Sequence, residues 1–151
     1  MIMIKSILFV CLGNICRSPL AEGIAREIAQ KRGLNIKVDS AGTSGWHIDE
    51  RPDSRSVAVA KKYGIDISNL KGRKVNAYSD SEFDLIVAMD GQNYRDLARF
   101  NFGEKLVLMG DFGLNGRDIP DPYYGGSDGF ENVYKMLESA INALFDSLDK
   151  S

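Results

Sequence analysis

Cys11 and Arg17 stand six positions apart, with Gly13 and Asn14 between them and Ser18 just beyond. A thiol, a turn-forming pair and a guanidinium at this spacing describe a loop that can curl around a tetrahedral dianion. Backbone N–H groups from Leu12 to Arg17 can point inward, and a following helix adds the partial positive charge of its N-terminus. Gly13 permits a backbone turn that a Cβ would resist. Asn14 tolerates a left-handed conformation, and its side chain can brace neighbouring loop groups. Arg17 can grip two oxygens through its planar fork, which lysine cannot do. The same field stabilises a thiolate at Cys11. A thiolate facing a bound phosphoryl group can attack phosphorus in line, with catalysis coming from positioning and charge stabilisation. Ser18 can donate a hydrogen bond to that sulfur, first as nucleophile and again as leaving group.

Attack on phosphorus expels an alkoxide or phenoxide, which needs a proton. Asp121, in Pro120-Asp121-Pro122-Tyr123-Tyr124, is the first candidate for the donor because the flanking prolines restrict its backbone. Asp118 is the second candidate and Asp128 the third. Tyr123 and Tyr124 could wall an aromatic substrate, as could Trp46, a loop tryptophan between Gly45 and His47.

These residues need elements to hold them. Ile4–Val10 reads as a first strand, and Pro19–Arg32 as a helix with Ser18 as N-cap, Pro19 at the first helical position and Gly33 as its stop. Leu20, Ile24 and Ile28 recur along that helix at helical spacing. Asn35–Ser40 alternates as a second strand, and Ala41–Arg51 is a loop. Asp53 can cap a helix over Ser54–Tyr63, which Gly64 stops. Leu70–Tyr78 is basic and irregular. Phe83–Met89 reads as a buried strand, with a helix from Gln92 to Phe100 after it; Asp90 fits as that helix's N-cap. Lys105–Met109 is a fourth strand, Gly110–Gly126 a long loop, and Glu131–Leu148 an amphipathic helix whose Val133, Leu137, Ile141, Leu144 and Leu148 share a face. Strands separated by helices argue for an α/β fold, a parallel sheet with helices on both faces. Ligands of such sheets bind beyond the carboxyl ends of the strands, where the Cys11 loop falls.

Composition bounds the rest. The 151 residues suit one domain with one core, and 44% hydrophobic with 26% charged residues is ordinary for a globular chain. A formal net charge of −2 provides no global field to recruit nucleic acid, so an anion site must be local. Lys71, Arg73 and Lys74 read as a solvated face. Cys11 and Cys16 are the only cysteines, which is no disulfide framework and suits a reducing cytosol. The apolar run after Lys5 reads as a strand rather than a signal peptide, since no small-residue cleavage site follows it. No apolar stretch approaches the ~20 residues that span a bilayer. His47, the single histidine, cannot anchor a metal alone and reads as a loop residue.

Two separated motifs carry a family resemblance. Val10-Cys11-Leu12-Gly13-Asn14-Ile15-Cys16-Arg17-Ser18-Pro19 and Asp121-Pro122-Tyr123-Tyr124 resemble the two signatures of the low-molecular-weight protein tyrosine phosphatases. Asp39-Ser40-Ala41-Gly42-Thr43, Trp46, Pro52-Asp53 and Met89-Asp90 resemble family landmarks in the family's order, so the resemblance covers the whole chain. It implies a single phosphatase domain over residues 1–151, built in three layers around a four-stranded parallel sheet in the order 2-1-3-4. It also implies hydrolysis of phosphotyrosine in proteins. Composition and cysteine usage add the expectations of a cytoplasmic protein without metal or other cofactor and without nucleic-acid or membrane partners, and a monomer is the default assumption.

By resemblance, Cys11 carries the phosphocysteine, Arg17 binds phosphate, and Asp121 is the general acid and then the base. Asn14 holds the loop, Ser18 assists the thiolate, and Leu12, Gly13, Ile15, Cys16, Trp46, Tyr123 and Tyr124 complete the substrate site. Cys16 is implied as redox partner, trapping oxidised Cys11 as a disulfide; the bland alternative is a thiol packed beneath the loop. Tyr123 and Tyr124 are implied as targets of a tyrosine kinase. Two departures stand out. Some relatives carry a histidine within the stretch matching Ser68–Lys74, and none occurs here. Relatives that prefer phosphoarginine carry threonine where this chain has Ile15; the apolar Ile15 and the aromatic pair favour a phosphotyrosine ring, with phosphoarginine as the alternative substrate. Arsenate reduction by a thiol relay needs further cysteines downstream, and none follows Cys16. A non-catalytic phosphoanion-binding or redox-sensing module would have no use for Asp121.

Overall fold

Cys11 is the last residue of the first strand, and the sheet is arranged so that its neighbours end at the same level. In the computed structural model, which describes residues 3–123 and 127–149, β1 (Ser6–Cys11), β2 (Lys37–Gly42), β3 (Leu85–Ala88) and β4 (Leu106–Leu108) form one sheet in the order β2-β1-β3-β4. All three pairings are parallel. The register sets Cys11 opposite Gly42, and Val10 opposite both Ala41 and Ala88.

Side chains alternate across a strand, so β1 feeds two cores. Ile7, Phe9 and Cys11 join a large cluster with Leu20 and Ile24 of α1 (Arg17–Lys31), Val59 of α2 (Ser54–Lys62) and Leu137 and Ile141 of α4 (Ser127–Asp149). Leu8 and Val10 join a smaller cluster on the other face with Ile86, Leu106 and Leu97 of α3 (Gly91–Leu97). The result is three layers, with both faces of the sheet covered as a parallel sheet requires.

The elements differ from the sequence reading mainly at their ends. β1 and β2 each run one or two residues further toward their C-termini than Val10 and Ser40. Gly42 explains the extension. Its N–H donates to Arg73 O at 2.8 Å and its carbonyl accepts from Val75 N at 2.8 Å, so the basic segment 70–78 closes the end of the sheet. β3 is shorter than Phe83–Met89, but Phe83 is still buried, in the smaller core. β4 loses one residue at each end of Lys105–Met109. α3 stops at Leu97 and passes into a 3-10 turn, Ala98–Phe100, which Asn101 ends in the left-handed region at φ 60°.

α1 begins before Ser18. Its N-cap position is Cys16, with no side-chain cap, and Ser18 and Pro19 lie in the first turn. Ser18 cannot cap because its hydroxyl is turned into the loop instead, and Pro19 is tolerated because the first four helical N–H groups have no intrahelical partner. α2 matches expectation closely: Asp53 accepts from Arg55 N, and Gly64 follows at φ 81°. α4 starts four residues earlier than Glu131, over Ser127-Asp128-Gly129-Phe130, between the expected loop and the expected helix. Ile119, fully buried, pins the long loop before it by donating its N–H to Met89 O at 2.9 Å.

Candidate active site

The loop from Cys11 to Arg17 leaves β1 and enters α1 in five residues, and one residue makes the turn possible. Asn14 has φ 58°, a left-handed conformation that asparagine tolerates better than most residues. Its amide is fully engaged. Nδ2 donates to Ser18 Oγ at 2.7 Å and Ser40 Oγ at 3.0 Å, and Oδ1 accepts from Arg73 N at 3.0 Å. Asn14 and Ser18 are buried behind the loop. Their side chains brace the loop and the Cys11 sulfur, as the resemblance implies, and do not reach the cleft surface. The stretch 68–74 lacks a histidine, and a backbone N–H, that of Arg73, supports Asn14 in its stead. The Arg73 guanidinium is itself held by Asp80, at 2.9 and 3.0 Å, and by Asp39 at 3.2 Å.

Gly13 corrects one expectation. It is absent from the positive-φ residues, so the turn does not demand glycine there. A Cβ at Gly13 would lie 3.0 Å from His47 Cδ2. Glycine lets the imidazole close over the loop. His47 thereby lines the cleft, with Nδ1 paired to Glu50 Oε2 at 2.9 Å. It is more than the loop residue that its sequence context suggests.

Around the Cys11 sulfur the bonds are short and few. Asn14 N donates to Sγ at 3.3 Å, and Ser18 Oγ lies 3.0 Å from it. Since Asn14 Nδ2 already donates to the Ser18 oxygen, the Ser18 proton is available for the sulfur or for Ala41 O at 3.3 Å. Behind Asn14 the chain continues inward. Ser40 Oγ donates to Glu22 Oε1 at 2.6 Å, and Arg26 Nη2 donates to Glu22 Oε2 at 2.6 Å. Burial pushes the Glu22 carboxyl up, against the lowering effect of those two bonds.

Arg17 is 2% exposed. A buried guanidinium needs partners, and Nη1 has two: Asp90 Oδ2 at 2.6 Å and Ile119 O at 2.9 Å. The remaining donors are different. Nη2 approaches Asp121 Oδ2 only to 3.6 Å, and Nε has no hydrogen-bond partner among the described residues. A buried cationic N–H left unpaired is costly, and two oxygens of an anion in the cleft would satisfy both. Asp90 is the residue whose importance the sequence understated. It does cap α3, accepting from Asn93 N at 2.7 Å, and it also holds Arg17.

The cleft over this loop is lined by Cys11, Leu12, Gly13, Ile15, Cys16 and Arg17 from below, and by Trp46, His47, Asp121 and Tyr123 above. Trp46 is 72% exposed, a rim rather than a core residue. Asp121 turns Oδ1 toward Tyr123 N at 3.1 Å and leaves Oδ2 on the Arg17 side. Asp118 is spent elsewhere, accepting from Gly91 N at 3.0 Å, and neither it nor Asp128, exposed on α4, lines the cleft. Tyr124 lies outside the described residues. Burial first, with Asp53 and Cys11 adding to it, pushes the Cys16 thiol from 9.0 up to about 12. Among the described residues no cluster of three or more His, Cys, Asp or Glu side chains is placed to hold a metal ion.

Comparison with known proteins agrees with this geometry. Residues 6–151 match the family model described as low molecular weight phosphotyrosine protein phosphatase. A low molecular weight phosphotyrosine protein phosphatase of Schizosaccharomyces pombe is 44% identical over 139 residues, which is 87% of this chain and 88% of that protein. A crystal structure of a protein tyrosine phosphatase from Entamoeba histolytica, with Hepes in its active site, superposes with a TM-score of 0.91 at 38% identity, covering 97% of each chain. An arginine phosphatase, YwlE, in a cysteine-to-serine mutant whose active-site serine is phosphorylated, superposes with a TM-score of 0.89 at 27% identity, also covering 97% of each chain.

Proposed function

The chain belongs to the low molecular weight phosphotyrosine protein phosphatases and is an enzyme of that class, and from that premise we propose that it hydrolyses phosphotyrosine in proteins through a phosphocysteine on Cys11. The observation that carries the reading is the half-satisfied Arg17. Nη1 is fixed by Asp90 and Ile119, while Nε is buried without a partner beside the Cys11 sulfur's loop.

The phosphoryl oxygens take the Arg17 Nε and Nη2 protons and the loop N–H groups. The Cys11 thiolate attacks phosphorus as the P–O bond to the tyrosyl oxygen breaks. Asp121, as the carboxylic acid, gives its proton to the departing oxygen. The resulting carboxylate then takes a proton from water, whose oxygen attacks the phosphocysteine. The P–S bond breaks, inorganic phosphate leaves, and Ser18 donates to the returning thiolate. Charge develops where donors already stand, so little reorganisation is needed.

The walls favour an aromatic ring. Ile15 presents no hydroxyl to a guanidinium, and Trp46 and Tyr123 offer flat apolar faces. The YwlE likeness makes phosphoarginine the competing substrate, and its phosphorylated active-site serine supports covalent transfer to the equivalent loop position here. Residues 1–151 act as one domain and as a monomer, and the free thiols suit the cytoplasm. Tyr123 and Tyr124 are the sites at which a tyrosine kinase would act. Cys16, in the same cleft, is the partner that would trap a Cys11 sulfenic acid as a disulfide with loss of water. Its raised pKa keeps it a thiol at neutral pH, which makes that trapping slow.

The test is turnover on matched phosphotyrosine, phosphoserine and phosphoarginine peptides, with Cys11→Ser as control. The expected result is phosphotyrosine hydrolysed fastest and no turnover by Cys11→Ser. Full activity in Cys11→Ser, or preference for phosphoarginine, contradicts the reading.

A further inference from the structure

Arg55 does not line the cleft, yet it touches both of its sides. Below, Asp53 N donates to Ile15 O at 2.7 Å, which ties the start of α2 to the anion loop. Asp53 holds the Arg55 guanidinium in a fork, with Nε to Oδ1 and Nη2 to Oδ2 both at 2.9 Å. Above, the same Nη2 donates to Tyr123 O at 3.2 Å. The guanidinium carbon stands 5.5 Å from the centre of the Tyr123 ring and 4.5 Å from that of Phe130 on α4. Tyr123 N then donates to Asp121 Oδ1 at 3.1 Å. A continuous path runs from the floor of the cleft at Ile15, through Asp53 and Arg55, to the carboxyl of Asp121.

We propose that Arg55 is a positioning residue that sets the height of the Asp121–Tyr123 turn above the Cys11 loop, and so the distance from the Asp121 carboxyl to the leaving oxygen. The proposal rests on the reading of Asp121 as the proton donor. The turn is anchored upstream by Ile119, whose N–H binds Met89 O and whose carbonyl binds Arg17. Arg55 supplies an anchor on the downstream side. Its planar fork binds Asp53 with two N–H groups and still spends one on a carbonyl, which an ammonium cannot do with the same geometry. Stacking against Phe130 fixes the plane of the fork. The Arg55 side chain is 41% exposed, so the Asp53 pair contributes little to folding. Proton transfer is far more sensitive, because a misplacement of about 1 Å can cost 10²-fold in rate.

Leaving-group dependence separates this role from a structural one. kcat/KM reports the steps up to the phosphoenzyme, and phenyl phosphate needs the donor's proton far more than p-nitrophenyl phosphate does. Arg55→Ala, Arg55→Lys, Asp121→Asn and the double variant Arg55→Ala/Asp121→Asn are compared on both substrates, with thermal melts as a folding control. In Arg55→Ala the loss on phenyl phosphate is expected to exceed that on p-nitrophenyl phosphate by about tenfold. Arg55→Lys falls between wild type and Arg55→Ala, and the double variant is no worse than Asp121→Asn alone. Equal losses on both substrates, no loss, or losses that multiply in the double variant overturn the proposal. A steep Asp121→Asn with a flat Arg55→Ala removes the clamp alone. A flat Asp121→Asn overturns the proton-donor reading and the clamp with it. If Arg55→Ala does not fold, Arg55→Lys, which keeps the charge and much of the stem, decides by the same comparison.

Discussion

Arg17 shows how a buried charge can be both stabilised and kept available. Asp90 and Ile119 compensate it through one nitrogen only, which leaves the other face of the fork for an anion. Asp90→Asn should therefore let the guanidinium shift and lower kcat/KM by roughly 10²-fold. Inhibition by inorganic phosphate should weaken in parallel. Steady-state kinetics with phosphate as inhibitor checks both, and an unchanged phosphate affinity would contradict the assigned role. Cys11 and Arg17 were legible in the sequence because covalent spacing alone puts them on one loop. Asp90 was legible as a cap and as a family landmark, but not as the partner of Arg17, because that pairing joins the end of β3 to α1 by tertiary contact. His47 was missed for the same reason: nothing in the chain around residue 47 says that its ring will lie over Gly13.

At the scale of elements, sequence reading found the four strands and four α-helices of the described residues, misplaced most of their ends, and missed the short 3-10 turns at Asp80–Glu82, Gly103–Lys105 and Met109–Asp111. The displaced ends are those that form the site. β1 and β2 run on to Cys11 and Gly42 because the segment 70–78 pairs with the end of the sheet, a contact that no local pattern announces. Ser18 has the composition of an N-cap, yet its hydroxyl serves Cys11 and Asn14 instead, and α1 begins at Arg17. Here the tertiary demand of the loop outweighs a local preference worth about 1 kcal/mol. Asp53, with no such competing demand, caps α2 as its sequence suggests. Gly13 was read as a turn residue, whereas its lack of a Cβ makes room for the His47 ring, and Asn14 was read correctly as the residue that takes the left-handed conformation.

Across the whole molecule, alternating strands and helices were enough to indicate a parallel sheet with both faces covered. The strand order β2-β1-β3-β4 came from the family resemblance, and the structure has it. Its consequence is that two crossovers leave a crevice beyond β1, where the cleft lies. Closing that crevice buries Cys16, with an effect on stability. Its folded-state pKa of about 12 lies above the ordinary 9.0. The stabilising contribution of the neutral thiol is therefore complete below pH 9.0 and is lost as pH rises through about 12. Denaturant midpoints measured across that window should fall less in Cys16→Ala than in wild type, and equal slopes would contradict the burial of a neutral thiol. The sheet, the loop and the long segment before α4 converge on a single sulfur. The most direct test is to quench the enzyme with acid during turnover of p-nitrophenyl phosphate and locate the phosphoryl group by peptide mass spectrometry. The account predicts phosphate on Cys11, accumulating more in Asp121→Asn, whose phosphoenzyme lacks its base. Phosphate on another residue, or full turnover with Cys11 never modified, would contradict it.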